Sequence, residues 1–140
     1  MKPKFGKQSV AYIESPFQLV NALEYLDFIL CRNFHFIIRD NGSSTQLTQI
    51  QNIIKLYRIE KNIKILFCPK KSLFKVFYVF WIVLHLLLLN FRSSRLIIGD
   101  LRSVVVKSLI WINHRLERKM VVVDDGLYLA EFVNRIREKK

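Results

Sequence analysis

The sequence predicts an α/β fold, a Rossmann-like parallel sheet of about five strands with helices on both faces. Short apolar runs alternate along the chain with longer segments in which apolar residues recur at helical spacing. The apolar runs are almost unbroken, which is typical of parallel strands that are buried on both faces. Strands and helices that alternate in this way form parallel sheets through right-handed crossovers.

The predicted elements follow one another in strict alternation, and turn residues separate them. Pro16, Gly42 and Pro69 interrupt the pattern directly after the first three apolar runs. The predicted strands are 9–13, 34–38, 62–67, 96–98 and 121–123, and the predicted helices are 17–31, 44–58, 72–90, 103–116 and 127–137.

The chain has 140 residues, enough for one domain with a sizeable core, and no linker or repeat divides it. We therefore assign residues 1–140 to a single domain. Its 23 Lys and Arg against 11 Asp and Glu give a net charge of +12, which favours an anionic partner. We do not expect that partner to be nucleic acid, because the basic residues are spread over the whole chain and no recognition motif is present.

The predicted helix Ser72–Asn90 is unusually apolar. Between Val76 and Leu89 only His85 is polar, but this stretch would be about 21 Å long, shorter than the roughly 30 Å core of a bilayer. We expect the sheet to cover one side of the helix, and a neighbouring domain, a second subunit or a membrane interface to cover the other. Basic residues at its ends suit peripheral contact with acidic lipids, although they could serve only to solubilise the helix.

Polar residues follow four of the predicted strands, and the carboxyl ends of parallel strands share one edge of a sheet. We expect this edge to collect residues 14–18, 39–42, 99–103 and 124–126. Asp124 and Asp125 are adjacent, and neighbouring acids raise each other's pKa, which suits a general base.

Each of these polar groups also has a purely structural interpretation. Asp124 or Asp125 could cap the helix that follows. Ser15 with Pro16 is a common helix start, and Asp100 with Ser103 is a common cap and turn. From the residues alone, capping and catalysis by the two acids are about equally supported.

Several site types are not expected. The segment 14–18, ESPFQ, is no glycine-rich phosphate loop, which argues against a dinucleotide-binding domain and a P-loop enzyme. The histidines His35, His85 and His114 are scattered, so we predict no metal site. A receiver-like module that binds Mg²⁺ through paired acids ranks lowest, because only Glu14 follows the first strand.

Three segments together resemble one family. The segment 10–25, VAYIESPFQLVNALEY, resembles the opening of bacterial sialyltransferases of the lipooligosaccharide and capsular polysialyltransferase type. In that family a first strand leads into a Ser/Thr-Pro-aromatic-Gln-Leu turn and a helix. LIIGD at 96–100 and VVVDDG at 121–126 are similar to the later part of the same domain, whose acid-acid-Gly motif matches Asp124-Asp125-Gly126.

The resemblance implies a GT-B glycosyltransferase, in which two Rossmann-like domains face each other across a cleft. This chain resembles the amino-terminal, acceptor-side domain. Asp125 would then be the general base for the acceptor hydroxyl, with Asp124 in support. The further residues implied to contact substrate are Ser15, Pro16, Gln18, Gly99, Asp100 and Gly126. No metal or cofactor is implied, since the donor CMP-sialic acid is itself a substrate.

In that family a carboxy-terminal domain binds CMP-sialic acid through a His-Pro motif and a Ser/Thr motif. No histidine of this chain precedes a proline. We therefore expect the donor-binding domain to be absent from this sequence, which would make the chain a fragment or one part of a split protein. We expect little or no transferase activity from it alone.

Two functional hypotheses result. In the first, the chain is part of an enzyme that transfers sialic acid to an anionic cell-surface glycan during lipooligosaccharide or capsule biosynthesis. The amino terminus lacks a signal-peptide pattern, so we expect a cytoplasmic location with peripheral contact at the inner membrane. In the alternative, a non-catalytic basic domain docks on an acidic membrane surface or a partner protein through the helix Ser72–Asn90.

Overall fold

A computed structural model describes residues 8–67, 72–90, 93–115 and 119–123. The elements in chain order are β1 (Gln8–Ile13), α1 (Pro16–Phe28), β2 (Phe34–Asp40), α2 (Ser44–Tyr57), β3 (Ile63–Phe67), α3 (Ser72–Asn90), β4 (Ser93–Ile98), α4 (Val104–Arg115) and β5 (Met120–Val122). The strands form one sheet in the order β3-β2-β1-β4-β5, and every pairing is parallel. The predicted α/β, Rossmann-like class is confirmed. The predicted helix 127–137 lies outside the described residues.

Helix α1 ends three residues before its predicted end at Cys31, and α2 ends at Tyr57, close to its predicted end near Arg58. Leu30 and Arg58 adopt left-handed backbone conformations, with φ of 53° and 54°. After each of them a backbone N–H reaches back five residues, from Cys31 to the Leu26 carbonyl and from Ile59 to the Ile54 carbonyl. This is the Schellman arrangement, which usually places glycine at the left-handed position. Because neither position is glycine here, the sequence lacks the usual signal for this kind of helix end.

The sheet is covered on both faces by helices, and each face has its own core. Alternate residues of the central strand point to opposite faces, as strand geometry requires. One core joins Ala11 and Ile13 to residues of α1 and α2. The other joins Val10 and Tyr12 to residues of α3 and α4.

The helix α3 packs on the sheet through one stripe only. Ile82 and Leu86 are fully buried in the second core. Phe77, Phe80 and Trp81 are 72%, 66% and 57% exposed. The prediction that the sheet covers one side of this helix is therefore confirmed. Among the helices that the structure describes, none combines the length and the apolar character needed to cross a bilayer.

The direction in which the chain adds strands reverses at β1, so the topological switch point of the sheet lies between β1 and β4. From β1 the chain builds outward through β2 to β3, and then α3 crosses back to place β4 on the other side of β1. Strands β1 and β4 end at nearly the same height along the sheet, since Tyr12 pairs with Ile98. The crevice beyond the carboxyl ends of such strands is where open α/β sheets bind their ligands.

Candidate functional site

Glu14 lies at the centre of the described residues around this crevice. It directly follows β1, and its side chain is only 10% exposed. One carboxylate oxygen, Oε1, accepts hydrogen bonds from the Tyr12 hydroxyl at 2.9 Å, from Arg39 Nη1 at 3.0 Å and from the Ser103 hydroxyl at 2.9 Å. These donors belong to β1, to β2 and to the residue before α4. A single carboxylate thus joins three segments of the sheet edge.

The chemistry of the donors keeps this cluster intact. Burial raises the pKa of Tyr12 far above its usual value, and the negative charge of Glu14 raises it further. Tyr12 therefore stays protonated and remains a donor. Arg39 forms an ion pair with Glu14 as well as a hydrogen bond, and charge-assisted bonds of this kind are stronger than neutral ones.

Ser15, Pro16 and Gln18 build the first turn of α1. The Ser15 hydroxyl accepts a hydrogen bond from the Gln18 backbone N–H at 3.2 Å, and Pro16 occupies the first helical position. The helix-start interpretation of Ser15 and Pro16 is confirmed. The Gln18 side chain is 2% exposed, and its Oε1 accepts the Glu14 backbone N–H at 2.9 Å. The predicted contact of these three residues with substrate stays a prediction.

Gly99 lies against Gln18 across the switch point. It is buried directly after β4, and a Cβ atom at this position would overlap the side-chain amide of Gln18. Glycine at this position leaves room for the buried Gln18 amide, which a larger residue would have to displace. Two residues predicted for the site, 81 positions apart (99 − 18), are therefore in contact.

Asp100 forms a tight turn with the residues that follow it. Its carboxylate accepts the Arg102 backbone N–H at 2.8 Å and Arg102 Nε at 2.9 Å. Burial alone would raise the pKa of Asp100, but the hydrogen bonds from Arg102 and the charges of Arg102 and Arg39 lower it below the usual value. The Ser103 backbone N–H donates to the Asp100 carbonyl at 3.1 Å. The turn interpretation of Asp100 and Ser103 is thus confirmed, while substrate contact by Asp100 stays a prediction.

The predicted base Asp125, its neighbour Asp124 and Gly126 lie outside the described residues. The structure does place Val123, the residue before them. Its backbone N–H donates to the Ile98 carbonyl at 2.8 Å, and its side chain is 7% exposed. Strand β5 therefore brings the chain to the carboxyl edge of the sheet, beside the end of β4.

Glu14 and Arg39 were not among the site residues predicted from the sequence. Both lie in segments assigned to the sheet edge, but nothing in the local pattern shows that they form an ion pair. The sequence did contain a signal, since the acid Glu14 directly follows the central strand and the base Arg39 lies near the end of β2. In the part of the chain that the structure describes, no group of three or more potential metal ligands is present.

The chain thus forms a doubly wound α/β domain, and polar residues of its carboxyl edge lie together at the topological switch point. No protein-family model matches the chain, and neither does a curated protein or a solved structure. A function for this chain is therefore inferred from the residues of this edge and from the sequence resemblance.

Proposed function

We propose that the chain is the acceptor-side domain of a metal-independent, sialyltransferase-like glycosyltransferase. One observation carries the proposal. The segments that contain Ser15, Gly99 and Val123, which are far apart in the sequence, meet at the carboxyl edge of neighbouring strands. These are the segments that carry the family resemblance, and in open α/β sheets this edge is the usual ligand site.

In this proposal Asp125 removes a proton from the acceptor hydroxyl. The acceptor oxygen then bonds to the anomeric carbon of sialic acid while the bond to CMP breaks, so that CMP departs with the bonding electrons. Glu14 is not assigned the base role, because it already accepts three hydrogen bonds and pairs with Arg39. Its part is to hold β1, β2 and the start of α4 in register beneath the acceptor.

The acceptor is proposed to be an anionic cell-surface glycan of the lipooligosaccharide or capsular class. The net charge of +12 supports this choice, because a strongly basic surface attracts anionic ligands and acidic membranes. The proposed location is the cytoplasm, with peripheral contact at the inner face of the membrane.

Calorimetric titration of the 140-residue chain with a lipooligosaccharide-type acceptor oligosaccharide tests the proposal. We expect measurable acceptor affinity, and an Asp125→Ala variant should lose about tenfold of it, because a charge-assisted hydrogen bond to the hydroxyl is removed. Asp27→Ala is the matched control, since Asp27 is exposed on α1. Unchanged affinity in Asp125→Ala would remove this residue from the acceptor site.

A second candidate function is docking on an acidic membrane or a partner protein without catalysis. The exposed aromatic side chains of α3 favour it, since contiguous apolar surface of this kind marks interaction sites. Flotation with vesicles that contain acidic lipid, compared with neutral vesicles, distinguishes the membrane form of this function.

A further inference from the structure

A groove of about 1000 Å³ runs between α3 and α4. Val76, Phe80 and Leu84 of α3 form one wall, and Val104 and Trp111 of α4 form the other. These five side chains are between 39% and 69% exposed, so the groove opens to the surface along its length. Its size lies at the upper end of the range of small-molecule sites.

The two ends of the groove differ in charge. Helices α3 and α4 follow β3 and β4, so both begin at the carboxyl edge of the sheet. Lys75 lies near the start of α3 and Lys107 near the start of α4, and both exposed side chains line the groove. Neither lysine forms an ion pair with another described residue. Beyond Ser108, the remainder of the groove, toward Leu87 and Ile112, is apolar.

Among the described residues no acidic side chain lines the groove, and the sequences of α3 and α4 contain none. The groove thus combines a cationic end with a long apolar channel. A ligand that complements it has a negative head and an aliphatic tail. From Lys75 to Leu87 the helix extends about 18 Å, so a tail of medium length can lie along it.

We propose that this groove binds a single-chain lipid with an anionic head group, of the alkyl or isoprenyl phosphate class. The head lies between Lys75 and Lys107, and the tail lies between α3 and α4. Each methylene group that leaves water favours binding, and each lysine favours the phosphate over a neutral head. This inference does not depend on glycosyl transfer, since it does not use Asp125. Arg39 and Ser103, two of the donors to Glu14, also line the groove.

Charge disfavours the other occupants of such a groove. A second copy of the chain would also carry +12 and would bring like charges together. The segment 127–140 of the same chain has four basic and two acidic residues, so it does not complement the lysines. An anionic lipid satisfies both ends of the groove.

Calorimetric titration of the 140-residue chain with monomeric decyl phosphate, decyl maltoside and inorganic phosphate tests the proposal. Decyl phosphate should bind about tenfold more tightly than decyl maltoside, which has the same tail and a neutral head. Inorganic phosphate alone should not bind measurably. Equal affinity for the two amphiphiles would overturn the assignment of the head site, and absence of binding would overturn the whole proposal.

Two variants locate the ligand. Ser108→Phe places a ring in the groove and should abolish binding of decyl phosphate, whereas Gln49→Phe, on the exposed side of α2, should leave it unchanged. The double variant Lys75→Gln/Lys107→Gln should lose the preference for the phosphate head group and keep its affinity for decyl maltoside. Because both lysines are exposed, this variant tests the proposal even if Ser108→Phe does not fold.

Two further results would contradict the lipid assignment. If Ser108→Phe converts a dimer to a monomer in light scattering, the occupant is a second copy. If the protein floats with acidic vesicles but does not bind monomeric decyl phosphate, the lipid contact is a bilayer surface.

Discussion

Glu14 is the residue that connects most of the described carboxyl edge of the sheet. Its Oε1 atom joins β1, β2 and the start of α4, and one of these bonds links residues 89 positions apart. Helical or strand periodicity reports only local neighbours, so it cannot reveal such a contact. This is why the sequence placed Glu14 at the edge without showing its role.

Glu14→Ala should lower the free energy of unfolding by about 2–3 kcal/mol, since three donors lose their acceptor. Glu24→Ala is the matched control, because Glu24 is exposed on α1 and should change stability by about 0.5 kcal/mol or less. Urea unfolding of both variants checks the difference. Equal, small effects would show that the cluster does not hold the edge.

Gly99→Ala should cost about 1–3 kcal/mol, because its new Cβ atom overlaps the Gln18 amide. Adding Gln18→Ala makes room, so the double variant should be less destabilised than the sum of the two single variants. A double-mutant cycle in urea measures this coupling. Simple additivity would argue against the close packing of Gly99 on Gln18.

His85 should make stability depend on pH. Burial, and then the positive charge of Lys64, lower the pKa of His85 below its usual value of 6.5. The unfolded chain therefore binds the proton more readily, and stability should fall as the pH drops below about 6.5 until the pKa of the folded state is passed. His85→Gln should reduce this fall between about pH 7.5 and about pH 5.5, as measured by urea midpoints. An unchanged fall would assign the effect to other groups.

Asp100 titrates in a separate range. Its pKa is lowered in the folded state from the usual value of 3.8, so its contribution to stability is present above that value and is lost as the pH falls below it. The two effects therefore do not overlap in the His85 experiment.

Among the elements, α3 departs most from an ordinary amphipathic helix. Its sequence is apolar on all sides, so periodicity predicts a helix but not which face meets the sheet. The structure resolves this, since Leu86 is fully buried whereas Leu88 is 60% exposed.

Leu86→Ala should therefore cost about 2–5 kcal/mol, as large-to-small core substitutions do. Leu88→Ala makes the same chemical change two residues away and should cost about 0.5 kcal/mol or less. Thermal or urea unfolding compares them directly. Similar losses for both would mean that both faces of α3 are covered.

The other elements were largely predictable, with physical reasons for the exceptions. Every predicted strand is present because each is a short apolar run, and Ser15 and Ser43 cap the first two helices as serines commonly do. Strand β2 continues through Arg39 and Asp40, which look like turn residues in the sequence. Both residues belong to the strand because they pair with Leu66 and Phe67 of β3.

For the molecule as a whole, the alternation of elements was sufficient to predict a parallel, doubly wound sheet. The order of the strands was not contained in that pattern, and it determines where the switch point lies. The convergence of 14–18 with 99–103 was predicted from the shared edge, and Gln18 with Gly99 confirms it. The placement of Asp124 and Asp125 stays a prediction.

The exposed apolar face of α3 leads to a prediction for the whole protein. Together with the net charge of +12, it should bind vesicles that contain acidic lipid and release them as salt rises. Replacing Phe77 and Phe80 by Ser should weaken binding without unfolding, since both are exposed. Binding that ignores lipid charge and salt would contradict this prediction.

The most direct test of the central claim is a map of where an acceptor glycan binds. In a ¹⁵N-labelled chain, a lipooligosaccharide-type oligosaccharide should shift the amide signals of Glu14, Gly99 and Val123 at the carboxyl edge of the sheet. The signals of Ser9 and Phe34, at the opposite edge, should stay unchanged. Shifts confined to the opposite edge, or none at saturating acceptor, would contradict the acceptor-side assignment.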